Sequence, residues 1–157
     1  MAELEVGERA PDFELRVGPE DTVSLSGALV GHEYVALVFL PGAERPACAD
    51  ELSVINAVLD EFERLGAGVI GIVAAAPWRL GEWARQLGLG FPLAADFDPP
   101  GAVAEQFGVL HEEGVCARAQ FIVDRELIVR FAYVGIIDRS TGAHLLLKAL
   151  EELNAGE

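Results

Sequence analysis

Along this chain, stretches in which nearly every side chain is apolar alternate with stretches in which apolar residues recur every three or four positions. Residues 34–40 form a near-continuous apolar run stopped by Pro41 and Gly42, the pattern of a strand buried on both faces. Residues 69–73 repeat it. Between the two, Leu52, Ile55, Val58, Leu59, Phe62 and Leu65 fall at helical spacing, which predicts one helix over 46–65, ended by Gly66. Further helices are expected over 78–87 and 100–107, with a short strand at 91–93 between them. The β-branched runs 119–123 and 127–134 flank the charged turn Asp124-Arg125-Glu126 and predict a hairpin. Leu145, Leu146, Ala149, Leu150 and Leu153 mark the inner face of a closing helix. At the start, 13–15 and 22–25, separated by Gly18 and Pro19, predict a short N-terminal β-hairpin. This order specifies an α/β chain with a mixed sheet and flanking helices.

With 157 residues, 52% of them hydrophobic, the chain is expected to form a single domain over 1–157 whose core needs no staples. The 26 acidic against 11 basic residues leave a net charge of −15. Nucleic acid and anionic membrane surfaces are therefore poor partners, since both demand clustered positive charge. No uncharged apolar stretch reaches the length of a membrane span, and the start MAELEVGERAPDF has no basic leader followed by an apolar run. A cytoplasmic, reducing location is the expectation, in which Cys48 and Cys116 rest as thiols. Two cysteines are too few for a disulfide scaffold or a four-cysteine zinc site. His32, His111 and His144 are dispersed without ligand spacing, so no metal is expected. Gly66-Ala67-Gly68 lacks the dinucleotide fingerprint and reads as a helix end, and no phosphate loop is present; no cofactor is expected.

Cys48 is the most informative residue. It follows a central strand and falls in the first turn of the helix that Pro46 opens, near the third helical position. Free backbone N–H groups and the positive end of the helix dipole favour an anion there, and a thiolate is the nucleophilic form of cysteine.

The stretch around Cys48, 39–52, resembles the active-site loop of the peroxiredoxins, the alkyl hydroperoxide reductase/thiol-specific antioxidant family, whose pattern is Pro-x-x-x-Thr/Ser-x-x-Cys with Glu three residues later. Pro41, Cys48 and Glu51 fall in register. Ala10-Pro11-Asp12-Phe13, Gly71-Ile72, Phe91-Pro92-Leu93 with Asp96, Phe107-Gly108-Val109, and Arg118 followed by Phe121-Ile122-Val123-Asp124 follow in the family's order. The resemblance implies a thioredoxin-like fold and a thiol-dependent peroxidase that reduces hydrogen peroxide or organic hydroperoxides through a sulfenic acid at Cys48. It further implies that Arg118 stabilises the thiolate and the developing oxyanion, that Glu51 orients an arginine, and that Pro41 shapes the loop and shields the cysteine.

One position departs from the pattern: Arg45 stands where the family has Thr or Ser. Arginine has donors and no acceptor, so it cannot accept a hydrogen bond from the incoming peroxide, and it caps a helix poorly. Two outcomes are open, one in which Arg45 joins Arg118 in supplying positive charge at Cys48, and one in which it points outward and leaves a partly disabled site. The alternative to a peroxidase is accordingly a non-catalytic or redox-sensing relative with a degenerate site. A thiol-disulfide oxidoreductase is disfavoured, because its Cys-x-x-Cys pair would need a second cysteine at position 45. Cys116 lies two residues before Arg118, so on a common strand the two would share a face about 7 Å apart. The family's usual resolving positions hold Ser53 and a cysteine-free tail, which favours a one-cysteine cycle completed by an external thiol reductant: a thioredoxin-like or glutaredoxin-like protein, or a low-molecular-weight thiol. A homodimer is expected by analogy, with Trp78 and Trp83 assigned to packing or to a subunit interface.

Overall fold

The structure, a computed structural model, describes residues 3–18, 20–42, 45–111 and 114–156. Pro19 of the expected hairpin turn, and Ala43 and Glu44 of the loop before Cys48, lie outside the described residues.

The spine is β3 (Tyr34–Leu40), every residue of which is buried. A strand covered on both faces has no polar side to present, which is why its sequence does not alternate. It pairs in parallel with β4 (Ala67–Val73) on one side and antiparallel with β6 (Ala119–Asp124) on the other. β5 (Leu93–Ala95) continues the parallel set beyond β4, and the N-terminal hairpin of β1 (Glu14–Arg16) and β2 (Thr22–Ser24) closes that edge. With β7 (Val129–Val134) antiparallel to β6, the seven-stranded order is β2-β1-β5-β4-β3-β6-β7.

Helices cover both faces. On one face α2 (Pro46–Ala57), α3 (Leu59–Arg64), α4 (Pro77–Leu87) and α6 (His144–Ala155) send Leu52, Ile55, Phe62, Leu80, Leu146 and Leu150 onto Val38, Leu40 and Ile122. On the other, α1 (Leu25–Ala28) and α5 (Ala102–Gln106) contribute Leu25, Val103 and Ala104, packed with Phe39, Phe107 and Phe121. Those three rings lie 5.1 to 5.7 Å apart between centroids, the spacing of favourable tilted and edge-on aromatic pairs. Each fully buried aliphatic or aromatic side chain in these layers contributes about 1.5–3 kcal/mol.

Three expectations need correction. The single helix over 46–65 is two helices, because the backbone leaves the helical region at Val58 (φ −115°, ψ 23°). The strand expected at 91–93 begins instead at Leu93: Pro92 has no N–H to give to a ladder and offers only its carbonyl, which accepts from Gly71. Leu25, assigned to the second strand of the hairpin, opens α1, where the Ser24 hydroxyl accepts from the Gly27 amide and caps the helix.

The register places the site. Phe39 pairs with Ala119, so the residue immediately before β6 lies beside the end of β3 from which the chain passes into α2. Among the described residues, no helix is long and apolar enough to cross a membrane.

Candidate active site

Pro46 is the first residue of α2 and Cys48 the third, with the Cys48 amide donating back to the Arg45 carbonyl at 3.0 Å. The Cys48 side chain is fully buried against Leu40 and Leu52. Glu51 follows one turn later on the same inward face and is also fully buried. From the position immediately before β6, Arg118 enters with no solvent exposure. A buried guanidinium must satisfy its donors inside the protein, and Arg118 does so in three directions. Nη2 donates to Cys48 Sγ at 3.2 Å, Nη1 to Glu51 Oε1 at 2.8 Å, and Nε and Nη2 to the Ile137 carbonyl at 3.1 and 2.9 Å.

Glu51 is held as firmly. Its Oε1 also accepts from the Thr141 amide at 2.9 Å, and its Oε2 from Gln120 Nε2 at 3.0 Å. Gln120 Nε2 donates in turn to the Gly142 carbonyl at 2.8 Å. The segment between β7 and α6 is thus drawn onto the site, and the Gly135 amide donates to the Arg118 carbonyl at 2.7 Å.

Of the residues singled out in the sequence, Cys48, Glu51 and Arg118 meet. Pro41 directly follows β3 at the same end of that strand, half-buried. Arg45 does not join them: its Nη1 makes a 2.7 Å ion pair with Asp138 Oδ1, with the two side chains 35% and 76% exposed. Arg45 points away from Cys48, because the exposed Asp138 carboxylate offers its charge a partner without the cost of burial. Arg118 in turn is paired with the buried Glu51. Arg45 also leaves α2 with no side-chain cap, as its lack of an acceptor predicts.

Cys116 does not share a face with Arg118. Strand β6 begins only at Ala119, and Cys116 makes an isolated bridge with Leu110. Its side chain lies in the core containing Phe39 and Phe107, on the opposite side of the sheet from the core containing Cys48. Both cysteines are free, and Cys116 Sγ donates to the Ala117 carbonyl at 3.1 Å. Burial, reinforced by the negative charge of Asp96 and Cys48, pushes the Cys116 thiol up to about 12.

Sequence reasoning missed Gln120 and the main-chain groups of Ile137, Thr141 and Gly142. The first had a signal, as the one polar residue amid the apolar interior of 119–123, two positions from Arg118 and so on its face. The others had none, because a main-chain carbonyl or amide carries no mark in the sequence. Among the described residues, no cluster of His, Cys, Asp or Glu that could hold a metal is present.

Residues 6–132 match the model of the AhpC/TSA family. The chain is 42% identical over 130 residues to alkyl hydroperoxide reductase E of Mycobacterium tuberculosis, covering 82% of this chain and 84% of that protein. Among solved structures, peroxidoxin BcpB from Mycobacterium tuberculosis superposes with a TM-score of 0.83 at 27% identity, covering 100% of this chain and 99% of that one. Enterococcus faecalis AhpC superposes with a TM-score of 0.84 at 25% identity, over 99% and 94%. A chain with this thioredoxin fold and this degree of likeness belongs to the AhpC/TSA family, the peroxiredoxins. Its activity is that of a thiol-dependent peroxidase.

Proposed function

We propose that Cys48 is the peroxidatic nucleophile of a one-cysteine cycle acting on hydrogen peroxide or organic hydroperoxides. The observation that carries this reading is the 3.2 Å contact from Arg118 Nη2 to Cys48 Sγ, made by a guanidinium whose orientation is fixed on its other sides. The thiolate attacks one peroxide oxygen, the O–O bond breaks, and the departing oxygen takes a proton to leave as water or an alcohol. Cys48 is left as a sulfenic acid. Arg118 donors stabilise the charge that develops on the leaving oxygen. Glu51 holds Arg118 in place and is not a base, and Pro41 walls the loop. Arg45 acts at a distance by tying the start of α2 to Asp138.

An external thiol, a protein of thioredoxin or glutaredoxin type or a small thiol, then attacks the sulfenic sulfur, releasing water and leaving a mixed disulfide. A second thiol displaces Cys48. Cys116 takes no part, because its buried thiol is the wrong protonation state for attack and sits in the other core. The working unit is a cytoplasmic homodimer.

The test is intact-mass measurement after stoichiometric peroxide, with and without a sulfenic acid trap. One oxygen is expected on the wild type and none on Cys48→Ser, with Cys116 unmodified in both. Persistence of a free Cys48 thiol over minutes would refute the reading. A redox-sensing role with weak turnover is the second reading, favoured by the outward Arg45 and the missing hydroxyl. It gains if Arg45→Thr raises the peroxide rate more than tenfold.

A further inference from the structure

We propose that Gln120 is a positioning residue of the peroxidase centre: its side-chain nitrogen fixes Glu51 and the segment after β7 in the arrangement that aims Arg118 at Cys48. The proposal rests on the reading of Cys48 given above.

Gln120 is fully buried in β6, where its neighbours Ala119, Phe121, Ile122 and Val123 are apolar and equally buried. An aliphatic residue fills such a position at no polar cost. The amide instead leaves its oxygen stranded: Oε1 is the one buried side-chain nitrogen or oxygen without a hydrogen-bond partner among the described residues. Turning the amide over does not rescue it, because the nitrogen faces two acceptors, Glu51 Oε2 at 3.0 Å and the Gly142 carbonyl at 2.8 Å, and an oxygen there would meet both with no proton. A buried, half-satisfied amide costs stability. What it supplies is on the nitrogen alone.

Those two hydrogen bonds join separate parts of the site. Glu51 Oε1 is shared between Arg118 Nη1 and the Thr141 amide, while Gln120 is the partner of Oε2. Without it Glu51 is held at Oε1 alone, so the carboxylate can pivot about that anchor, and the Arg118 Nη1 bonded there shifts with it. The Gly142 bond fixes the far end of the segment whose Ile137 carbonyl receives Arg118. Gln120 touches neither sulfur nor substrate; it acts through Glu51 and Gly142.

Gln120→Met keeps the length and removes both N–H groups. Single-turnover oxidation of Cys48 by hydrogen peroxide is expected to slow at least about tenfold, while alkylation of Cys48 by iodoacetamide, which needs a thiolate but no aimed donors, stays within about threefold of wild type. Gln120→His retains one N–H at similar reach and is expected to fall between the two; it also serves as the test if the Met variant does not fold. Wild-type and Gln120→Met rates that agree within about twofold overturn the proposal, as does an equal fall in oxidation and alkylation, which would mean general loosening of the core. Failure of the wild type to react with peroxide overturns instead the assignment of Cys48.

Discussion

Arg118 divides its donors among a thiol sulfur, a carboxylate and a main-chain carbonyl, and these partners have unequal consequences when removed. A buried ion pair is weak evidence of net stabilisation, but removing one member strands the other, at about 3–5 kcal/mol. Arg118→Met is therefore expected to unfold at lower urea by about that amount and to lose roughly 10²–10³-fold in peroxide rate. Adding Glu51→Gln removes the stranded charge, so the double variant is expected to regain much of the stability and none of the rate. Urea titration beside stopped-flow oxidation separates the two effects. Cys116 offers a second test at this scale. Its thiol is held up to about 12, chiefly by burial and then by Asp96 and Cys48, against about 8.5 in an unfolded chain. A raised value means that the fold prefers the protonated thiol. That contribution is complete below about pH 8.5 and is lost as pH climbs toward 12. Cys116→Ala is expected to flatten the alkaline fall of unfolding free energy, measured in urea between about pH 8 and 11.

Helix α2 begins without a side-chain cap, at the position where Arg45 stands in place of the Thr or Ser of the active-site pattern. Arg45→Thr would supply the missing cap, worth about 1 kcal/mol, and delete an exposed ion pair worth 0–1 kcal/mol. The expected outcome is a net stability change under about 1 kcal/mol, read by urea titration, with a faster peroxide reaction because an acceptor returns beside Cys48. The elements themselves were legible in proportion to how strongly local pattern and burial agree. Strand β3 lies where its apolar run predicts, because total burial and a following Pro-Gly leave no other solution. The break at Val58 was hidden because Leu52, Ile55 and Phe62 keep one apolar stripe across it. The offset of β5 traces to Pro92, a signal present in the sequence and overridden by hydrophobicity. At the site, Cys48 was legible from its place in the first turn after a central strand, whereas Glu51 and Arg118 were legible only through the resemblance of the surrounding motifs to the peroxiredoxin pattern. The fate of Arg45 was not, since its partner Asp138 is distant in sequence and nothing local distinguishes an arginine turned inward from one turned outward.

For the molecule as a whole, the net charge of −15 sets a long-range field that the Arg118–Glu51 pair, being neutral in sum, does nothing to reverse. Hydrogen peroxide is uncharged at neutral pH and indifferent to it, whereas an anionic thiol is not. An anionic thiol such as glutathione is expected to reduce oxidised Cys48 more slowly than a neutral thiol of matched reactivity at low ionic strength. The difference should shrink as salt screens the field within about 10 Å at 0.1 M. Stopped-flow reduction across a salt series measures it; a salt-independent ratio would place the control in local access. The field is a property of composition, but the catalytic apparatus depends on something composition does not encode. Ile137 and Gly142 reach Arg118 and Gln120 with their carbonyls and Thr141 reaches Glu51 with its amide, backbone groups that side-chain identity does not encode, proline at 141 excepted. For the gene, this segment therefore tolerates letter changes such as Ile137→Ala at places where only backbone atoms are used, except at Gly142, whose φ of +77° favours glycine, and at Gly135, where a Cβ would meet Thr141 Oγ1, and it is acutely sensitive to its count of codons, since loss of one residue between Ile137 and Gly142 puts the two ends of the segment out of phase.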